Sequence, residues 1–500
     1  MAENQTNNTV QAFWVAMGSL SSMGLAIVSA AILSRYFDKS DYGTFKQIGY
    51  VYSTLLIIFT AGLPQVFAYF LPRYSLEEGK NIVQKINKIL FVAGFAFSIF
   101  LFLFSGIIAN LLNNPDLSLA LKVFSPIPMF LLPTLGMDGI FSTYKKTIFI
   151  AIYGTLSRLL MLLFIVVPVI VFKGDYLSAV YGWLVASILT FGVAIYFKRI
   201  PFKGVKSVIT SLNNKEIFAY SLPIVLASLW GIAIKAADQF YISRFFGREV
   251  FAEFSNGFID LPFVSMVTAS AAVVIMPLFS KLLMNKESTS EVLAIWNNTI
   301  SKSAIIIYPI LIFCIFNAGS IVELLYSSKY SNSAIYFRIY MALNFFNIII
   351  FAPLMFALGE TKFYARLHMY MAIVSWVGLY VIILIFNSPV AVAALSTAFA
   401  ILRFIIALRF IAKKLNVKVQ GLFPIQAALK ITIHCVIIAT IILSFSYLWW
   451  NELTSLYLIT INFTLFLSMT LITSKLFNIN YFSVYQPILL KIKNKVIKSN

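Results

Sequence analysis

The sequence predicts an all-α polytopic membrane protein of about 14 transmembrane helices. It further predicts two six-helix bundles in a parallel pseudo-twofold repeat, followed by a C-terminal helix pair. Three observations lead there. Sixty per cent of the 500 residues are hydrophobic, only 11% are charged, and the mean hydropathy is +0.90, which leaves far too little polar surface for a soluble domain of this length. Apolar runs of 18 residues or more recur along the chain, and a helix of about 20 apolar residues crosses the hydrocarbon core. Finally, a twelve-residue motif recurs at an offset of 209 residues.

Taken in order, six apolar segments run at about 10–34, 47–71, 89–112, 118–141, 147–172 and 176–197, making an N-terminal bundle over 1–197. The basic linker KRIPFKGVK opens a polar stretch at 198–216. A second series at about 217–243, 250–280, 299–325, 334–358, 363–387 and 389–412 makes a bundle over 217–412. A final pair at about 425–450 and 453–477 occupies the region 413–477, and a lysine-rich tail covers 478–500. The runs are continuous rather than alternating, which excludes the period-2 pattern of a membrane β-barrel.

The formal charge is +20, from 38 Lys and Arg against 18 Asp and Glu. In a soluble chain this excess would suggest nucleic acid. Here the cations sit mostly in short loops between apolar runs, so no nucleic-acid partner is expected. With the N-terminus inside, the inner loops and the tail hold 21 Lys and Arg and the outer loops 7, so the bias places both termini in the cytoplasm. Arg35, Lys39 and Lys46 in the first outer loop run against the trend. None of the loops is long enough for a folded domain, so any function is expected to lie within the bilayer.

The repeat pairs SRYFDKSDYGTF at 34–45 with SRFFGREVFAEF at 243–254. Four positions are identical and four more are similar, and each copy sits at the outer end of the first span of a six-span set. Six spans restore the starting side, so the halves are expected to be parallel repeats about an axis along the membrane normal.

Cys314 and Cys435 both lie in apolar segments, and His368 and His434 are far apart. Neither a metal site nor a disulfide framework is expected. The start, MAENQTNNTV, lacks the basic opening of a signal peptide. Asn4 and Asn7 each begin an N-x-T triplet, read as chance because that end is expected inside.

ILSRYFDKSDYGTF after the first span and GLPQVFAYFLPRY at the end of the second carry a resemblance, joined by YSLPIVLASLWGIAIKAADQFYISRFFG in the seventh and VVIMPLFSKL closing the eighth. The chain resembles the Wzx-type polysaccharide flippases of the multidrug/oligosaccharidyl-lipid/polysaccharide exporter superfamily, which also holds the MATE drug exporters and the lipid II flippases. The resemblance covers most of the first twelve spans and rests on spacing and on small, aromatic and proline residues. It implies two bundles whose spans 1, 2, 7 and 8 line a cavity. The implied cargo is an undecaprenyl-pyrophosphate-linked oligosaccharide, moved across the bacterial plasma membrane during assembly of O-antigen, capsule or exopolysaccharide. Membrane lipids, a polysaccharide polymerase and a chain-length regulator are the implied partners. The chain departs from the lipid II branch, which carries arginines in its first two spans; residues 10–34 and 47–71 are each read as uncharged apolar segments here.

An ionisable residue in the hydrocarbon costs about 2.5–3.5 kcal/mol on insertion scales, so each needs a partner or a cavity. Lys235 and Asp238 lie three apart in the seventh span, hence on one face. They form either a self-neutralising packing pair or a phosphate contact and an ion-coupling carboxylate. Asp260 is expected about ten residues into the eighth span, with Pro262 loosening the local hydrogen-bond ladder. Arg158 and Asp138 are candidates for an interhelical pair. Arg403 is placed in the twelfth span, Arg338 near the outer end of the tenth, and His434 mid-depth in the thirteenth as a packing residue. The expected site therefore has Lys235, Arg158 and Arg403 facing pyrophosphate and glycan, with Asp238 and Asp260 loading a coupling proton or sodium ion; no other cofactor is expected. A MATE-like drug/cation antiporter is the rival on the same fold. A membrane polymerase or other enzyme is disfavoured by the short loops.

Overall fold

A computed structural model describes residues 2–284, 289–450 and 453–484, and these are helical nearly throughout. Twelve helices are long and apolar enough to cross a bilayer, and two bent pairs bring the number of spans to fourteen. They follow the fourteen apolar segments in order. The chain divides into two compact units, Met1–Ala252 and Glu253–Asn500. Of the basic tail at 478–500, residues 485–500 lie outside the described residues.

The first unit contains α1 (Ala2–Tyr36), α2 (Lys39–Thr60), α3 (Leu63–Phe70), α4 (Leu76–Leu111), α5 (Asp116–Phe124), α6 (Ile127–Leu131), α7 (Met137–Thr143), α8 (Ile148–Val171), α9 (Tyr176–Arg199) and most of α10 (Asn214–Gly257). Local chemistry sets several starts. Asp38 accepts from the Asp41 N–H at 2.7 Å to cap α2. Ser75 and Glu78 form a reciprocal capping box on α4, and Asp175 caps α9 by accepting from Ser178 N–H at 3.0 Å. The fourth span is broken where the sequence reads SPIPMFLLPTLG. Pro126, Pro128 and Pro133 each lack an amide donor, and Gly136 takes φ +83° just before α7. The second span bends by 46° between α2 and α3.

Along α4, Ile82, Ile86, Leu90, Phe97 and Leu101 are buried at helical spacing, whereas Val92, Phe95, Ile99, Phe102 and Leu103 are exposed. That second set forms the lipid face expected of a span. Helices α8 and α9 approach closely at Gly182, where an added Cβ would lie 1.8 Å from the Phe164 carbonyl oxygen. A polar seam crosses this otherwise apolar unit. Arg248 donates to Asp116 and, at 3.1 Å, to Asn114 Oδ1. Asn114 donates to Thr44 at 3.0 Å, and Gln47 donates to Ser243 at 2.7 Å.

The two motif copies break their helices at the same aligned position. Asp38 separates α1 from α2 with extended backbone, and Gly247, 209 residues later, interrupts α10 with φ +82° and ψ +176°. The segment 248–257 is therefore a separate helical piece, and 258–261 is non-helical before the next helix begins.

The second unit contains α11 (Pro262–Met284), α12 (Thr289–Phe316), α13 (Ala318–Tyr326), α14 (Ser333–Asn347), α15 (Phe351–Ala357), α16 (Thr361–Phe386), α17 (Pro389–Leu415), α18 (Ile425–Trp449) and α19 (Ser455–Thr473). The last two pack on α12 and α13. Asn462 on α19 donates to Asn317 Oδ1 at 2.9 Å, satisfying a buried amide that would otherwise be costly in lipid. His434 bonds through both ring nitrogens, to Tyr481 at 2.9 Å and Thr473 at 2.7 Å. It is a tethered packing residue.

Candidate functional site

Each unit presents its own group of ionisable side chains on spanning helices. In the first unit, α1, α7 and α8 line an open cavity of about 400 Å³. Ser19 and Ser22 come from α1, Thr134 and Asp138 from the broken fourth span, and Tyr153 and Gly154 from α8. The break at Pro133 and Gly136 is what turns Asp138 toward this space. Arg158 is one turn beyond Gly154 on the same face of α8, is exposed, and lies within electrostatic reach of Tyr52 and Tyr153. The interhelical pair between Arg158 and Asp138 is not formed: no ion pair joins them among the described residues. A carboxylate and a guanidinium are thus left on the same part of the unit without neutralising one another.

Lys235 and Asp238 are in the same unit, on α10. Lys235 is exposed, whereas Asp238 is only 5% exposed. The Asp238 carboxylate accepts from the Gln239 N–H at 2.7 Å and lies within electrostatic reach of Tyr50. The Tyr50 hydroxyl donates to the Ala236 carbonyl at 3.1 Å, pinning α2 against this turn of α10.

In the second unit the structure brings Asp260 and Arg403 to one tyrosine. Asp260 sits in the non-helical stretch between residue 257 and α11, with Pro262 as the first residue of α11. The eighth segment was expected to be one helix over 250–280, loosened at Pro262. Instead the chain opens fully, because Pro262 is pre-set for the first turn of a new helix. Tyr340 on α14 donates a short hydrogen bond to Asp260 Oδ1. Arg403 on α17 lies within electrostatic reach of Tyr340 and Tyr364, and its guanidinium is 5.7 Å from the Phe404 ring centre. Its Nε is buried and has no hydrogen-bond partner among the described residues. Asp260 and Arg403 form no ion pair with each other among the described residues. Arg338 is exposed and donates to the Ile315 carbonyl at 3.3 Å.

Sequence reasoning missed two members of these groups. Tyr340 is one of 25 tyrosines, and nothing in its neighbourhood marks it. Glu253 is 7% exposed and accepts from Asn332 at 3.2 Å; as an acid inside an apolar segment it could have been flagged by the same rule that picked out Asp260. No group of three or more metal-ligating side chains occurs among the described residues.

These features define a polytopic helical membrane protein with broken spans and charged groups held inside its bundles. Its fold is the one seen in an inward closed conformation of the lipid II flippase MurJ, at 16% identity and a TM-score of 0.69, covering 92% of this chain and 98% of that one. A mutant of the Vibrio cholerae MATE transporter VcmN aligns at 14% identity and a TM-score of 0.55, over 81% of this chain and 97% of that one. A MOP superfamily transporter from Pyrococcus furiosus gives 14% identity and a TM-score of 0.55, over 80% and 94%. No match was found among curated protein sequences. The chain belongs to the family of polysaccharide biosynthesis proteins, whose model matches residues 9–283, more than half of its length.

Proposed function

We propose that the protein is a flippase that carries an undecaprenyl-pyrophosphate-linked oligosaccharide repeat unit across the bacterial inner membrane, by alternating access, for a surface polysaccharide such as O-antigen, capsule or exopolysaccharide. Membership of the polysaccharide biosynthesis family supports the pathway, and the MurJ-like fold supports a lipid-linked cargo. The observation that carries the reading is Arg403. Its guanidinium is on a spanning helix and, among the described residues, carries a buried donor with no protein partner and is paired with no carboxylate. Such a cation is costly in a bilayer and suits a planar, multidentate acceptor such as pyrophosphate.

In this reading Lys235, Arg158 and Arg403 meet pyrophosphate and glycan while the polyprenyl tail stays in lipid. Asp238 and Asp260 load the coupling proton or sodium ion. An ion can bias the two access states only by its differential affinity for them, and a carboxylate at a break between helices changes its surroundings when the break moves. A drug/cation antiporter on the same fold would be expected to hold carboxylates without these exposed or unpaired cations. A polymerase, a chain-length regulator and membrane lipids are the partners this role implies, with both chain ends in the cytoplasm.

The test is transport of a fluorescent undecaprenyl-pyrophosphate-linked oligosaccharide in proteoliposomes under imposed proton or sodium gradients. The expected result is transport stimulated by one gradient, with Asp260→Asn retaining cargo binding and losing the stimulation. Unchanged stimulation in Asp260→Asn would move ion coupling to Asp238. Absence of lipid-linked sugar transport, together with gradient-driven export of cationic drugs, would overturn the flippase reading.

A further inference from the structure

A second cavity of the first unit, about 410 Å³, lies between α4 and α9, a volume within the range of small-ligand sites. On α4 its lining repeats at Lys80, Gln84 and Lys88, four residues apart and so on one face; α9 contributes Lys198 and Arg199. Four basic side chains therefore line the space, and no carboxylate does. None of the four is in an ion pair among the described residues.

Lys198 is the most constrained of them, at 2% exposure. Its ammonium donates to Asn87 Oδ1 at 2.9 Å, the Pro133 carbonyl at 2.7 Å and the Leu135 carbonyl at 2.6 Å. These acceptors satisfy its three donors and fix its position at the broken fourth span, but all are neutral. No carboxylate is among these acceptors or in the lining of the cavity. Lys80 spends one donor on the Val205 carbonyl at 2.6 Å. Lys88 and Arg199 are exposed and make no side-chain hydrogen bond among the described residues, so their donors remain for a ligand.

The cavity's level along the helices narrows the ligand. The apolar part of α4 begins at Ile89, directly after Lys88, and that of α9 ends at Phe197, directly before Lys198. The site lies where hydrocarbon gives way to headgroups. We propose that this cavity binds a phosphate group, in the first instance the headgroup phosphate of an anionic phospholipid seated between α4 and α9. Basic pockets between transmembrane helices take such headgroups by the same electrostatics. The site goes beyond the flippase reading and does not depend on it.

The experiment uses the full chain in detergent micelles, with no cargo present, so its outcome is separate from that of the transport assay. Thermal unfolding is followed while phosphatidylglycerol, phosphatidylcholine or inorganic phosphate is titrated in. Phosphatidylglycerol is expected to raise the melting temperature well above the effect of phosphatidylcholine, by linkage to the native state. In the double variant Lys88→Gln with Arg199→Gln its apparent affinity should weaken by about tenfold or more, the loss expected from removing charge-assisted hydrogen bonds. Both positions are exposed, so the variant is expected to melt near the parent temperature without ligand. Stabilisation by inorganic phosphate that the double variant loses also supports the site, with a soluble source of the phosphate. Equal effects of phosphatidylglycerol and phosphatidylcholine with none from phosphate, or a phosphatidylglycerol effect that persists in the double variant, would overturn it.

Discussion

Lys235 and Asp238 share a face of α10 by spacing, yet packing gives them different surroundings. Asp238 is buried beside Tyr50 and bonded to a backbone amide, while Lys235 is exposed. A self-neutralising packing pair would be rescued by removing both charges, because the cost of breaking it lies in the uncompensated partner. The different environments lead to the opposite expectation. Lys235→Ala should lower polymer export about tenfold or more at unchanged protein level, as loss of one charge-assisted contact would. Lys235→Arg should export better than Lys235→Ala, and Lys235→Ala combined with Asp238→Ala should not restore export. Polymer measured on the cell surface, with membrane protein level as control, decides this; recovery in the double variant would make the pair structural. The residue scale is also where sequence reading reached its limit. The i, i+3 spacing put the two side chains on one face, but which of them α2 covers is a tertiary fact. Likewise nothing local in the sequence pairs Arg248 with Asp116, which it bonds across 132 residues of sequence.

Asp38, Ser75, Asp175 and Ser388 cap observed helix starts, and the prolines of the fourth and eighth segments stand where those spans break, but of this local punctuation the sequence reading used only Pro262. What hydropathy hides is the break itself, since the predominantly apolar segment 118–141 continues across it. Gly136 shows how tightly that break is built: at φ +83° an added Cβ would lie 2.2 Å from Phe67 Cδ2. Gly204 has nearly the same backbone, φ +79°, with nothing within 4 Å of an added Cβ. Both Gly→Ala changes pay the left-handed penalty, of order 1–2 kcal/mol, but only Gly136→Ala must also displace a ring from the apolar core formed by Val66, Phe67 and Ile140. Gly136→Ala is therefore expected to melt at a clearly lower temperature than Gly204→Ala in detergent. Equal melting temperatures would mean that the ring yields freely and that the turn at Gly136 is not held by packing.

At the scale of the whole molecule, the ordering of fourteen spans follows from hydropathy alone, because a bilayer forces each apolar run of about 20 residues to bond its own backbone as helix. The aligned helix breaks at Asp38 and Gly247 add a structural counterpart to the repeated motif. Orientation rests on a different quantity, the cation bias of 21 to 7 between alternate loops. That bias acts during insertion and leaves no mark on packing. Its weakest point is the first outer loop, whose Arg35, Lys39 and Lys46 oppose the rule. In the structure Arg35 donates to the Ala31 carbonyl at 2.9 Å and Lys46, on α2, lies 5.2 Å from the Tyr42 ring centre. These contacts leave the count unchanged, and the bias of 21 to 7 carries the expectation that both the 198–216 linker and the C-terminus are cytoplasmic. Fusions of a reporter active only in the periplasm should then be silent at the linker and at the C-terminus, and active when placed after Lys173 in the short connection between α8 and α9. Strong activity from the linker or C-terminal fusion would reverse the orientation. Opposite signals from those two fusions would remove an odd number of spans from the second half, since an even number must separate two points on the same side.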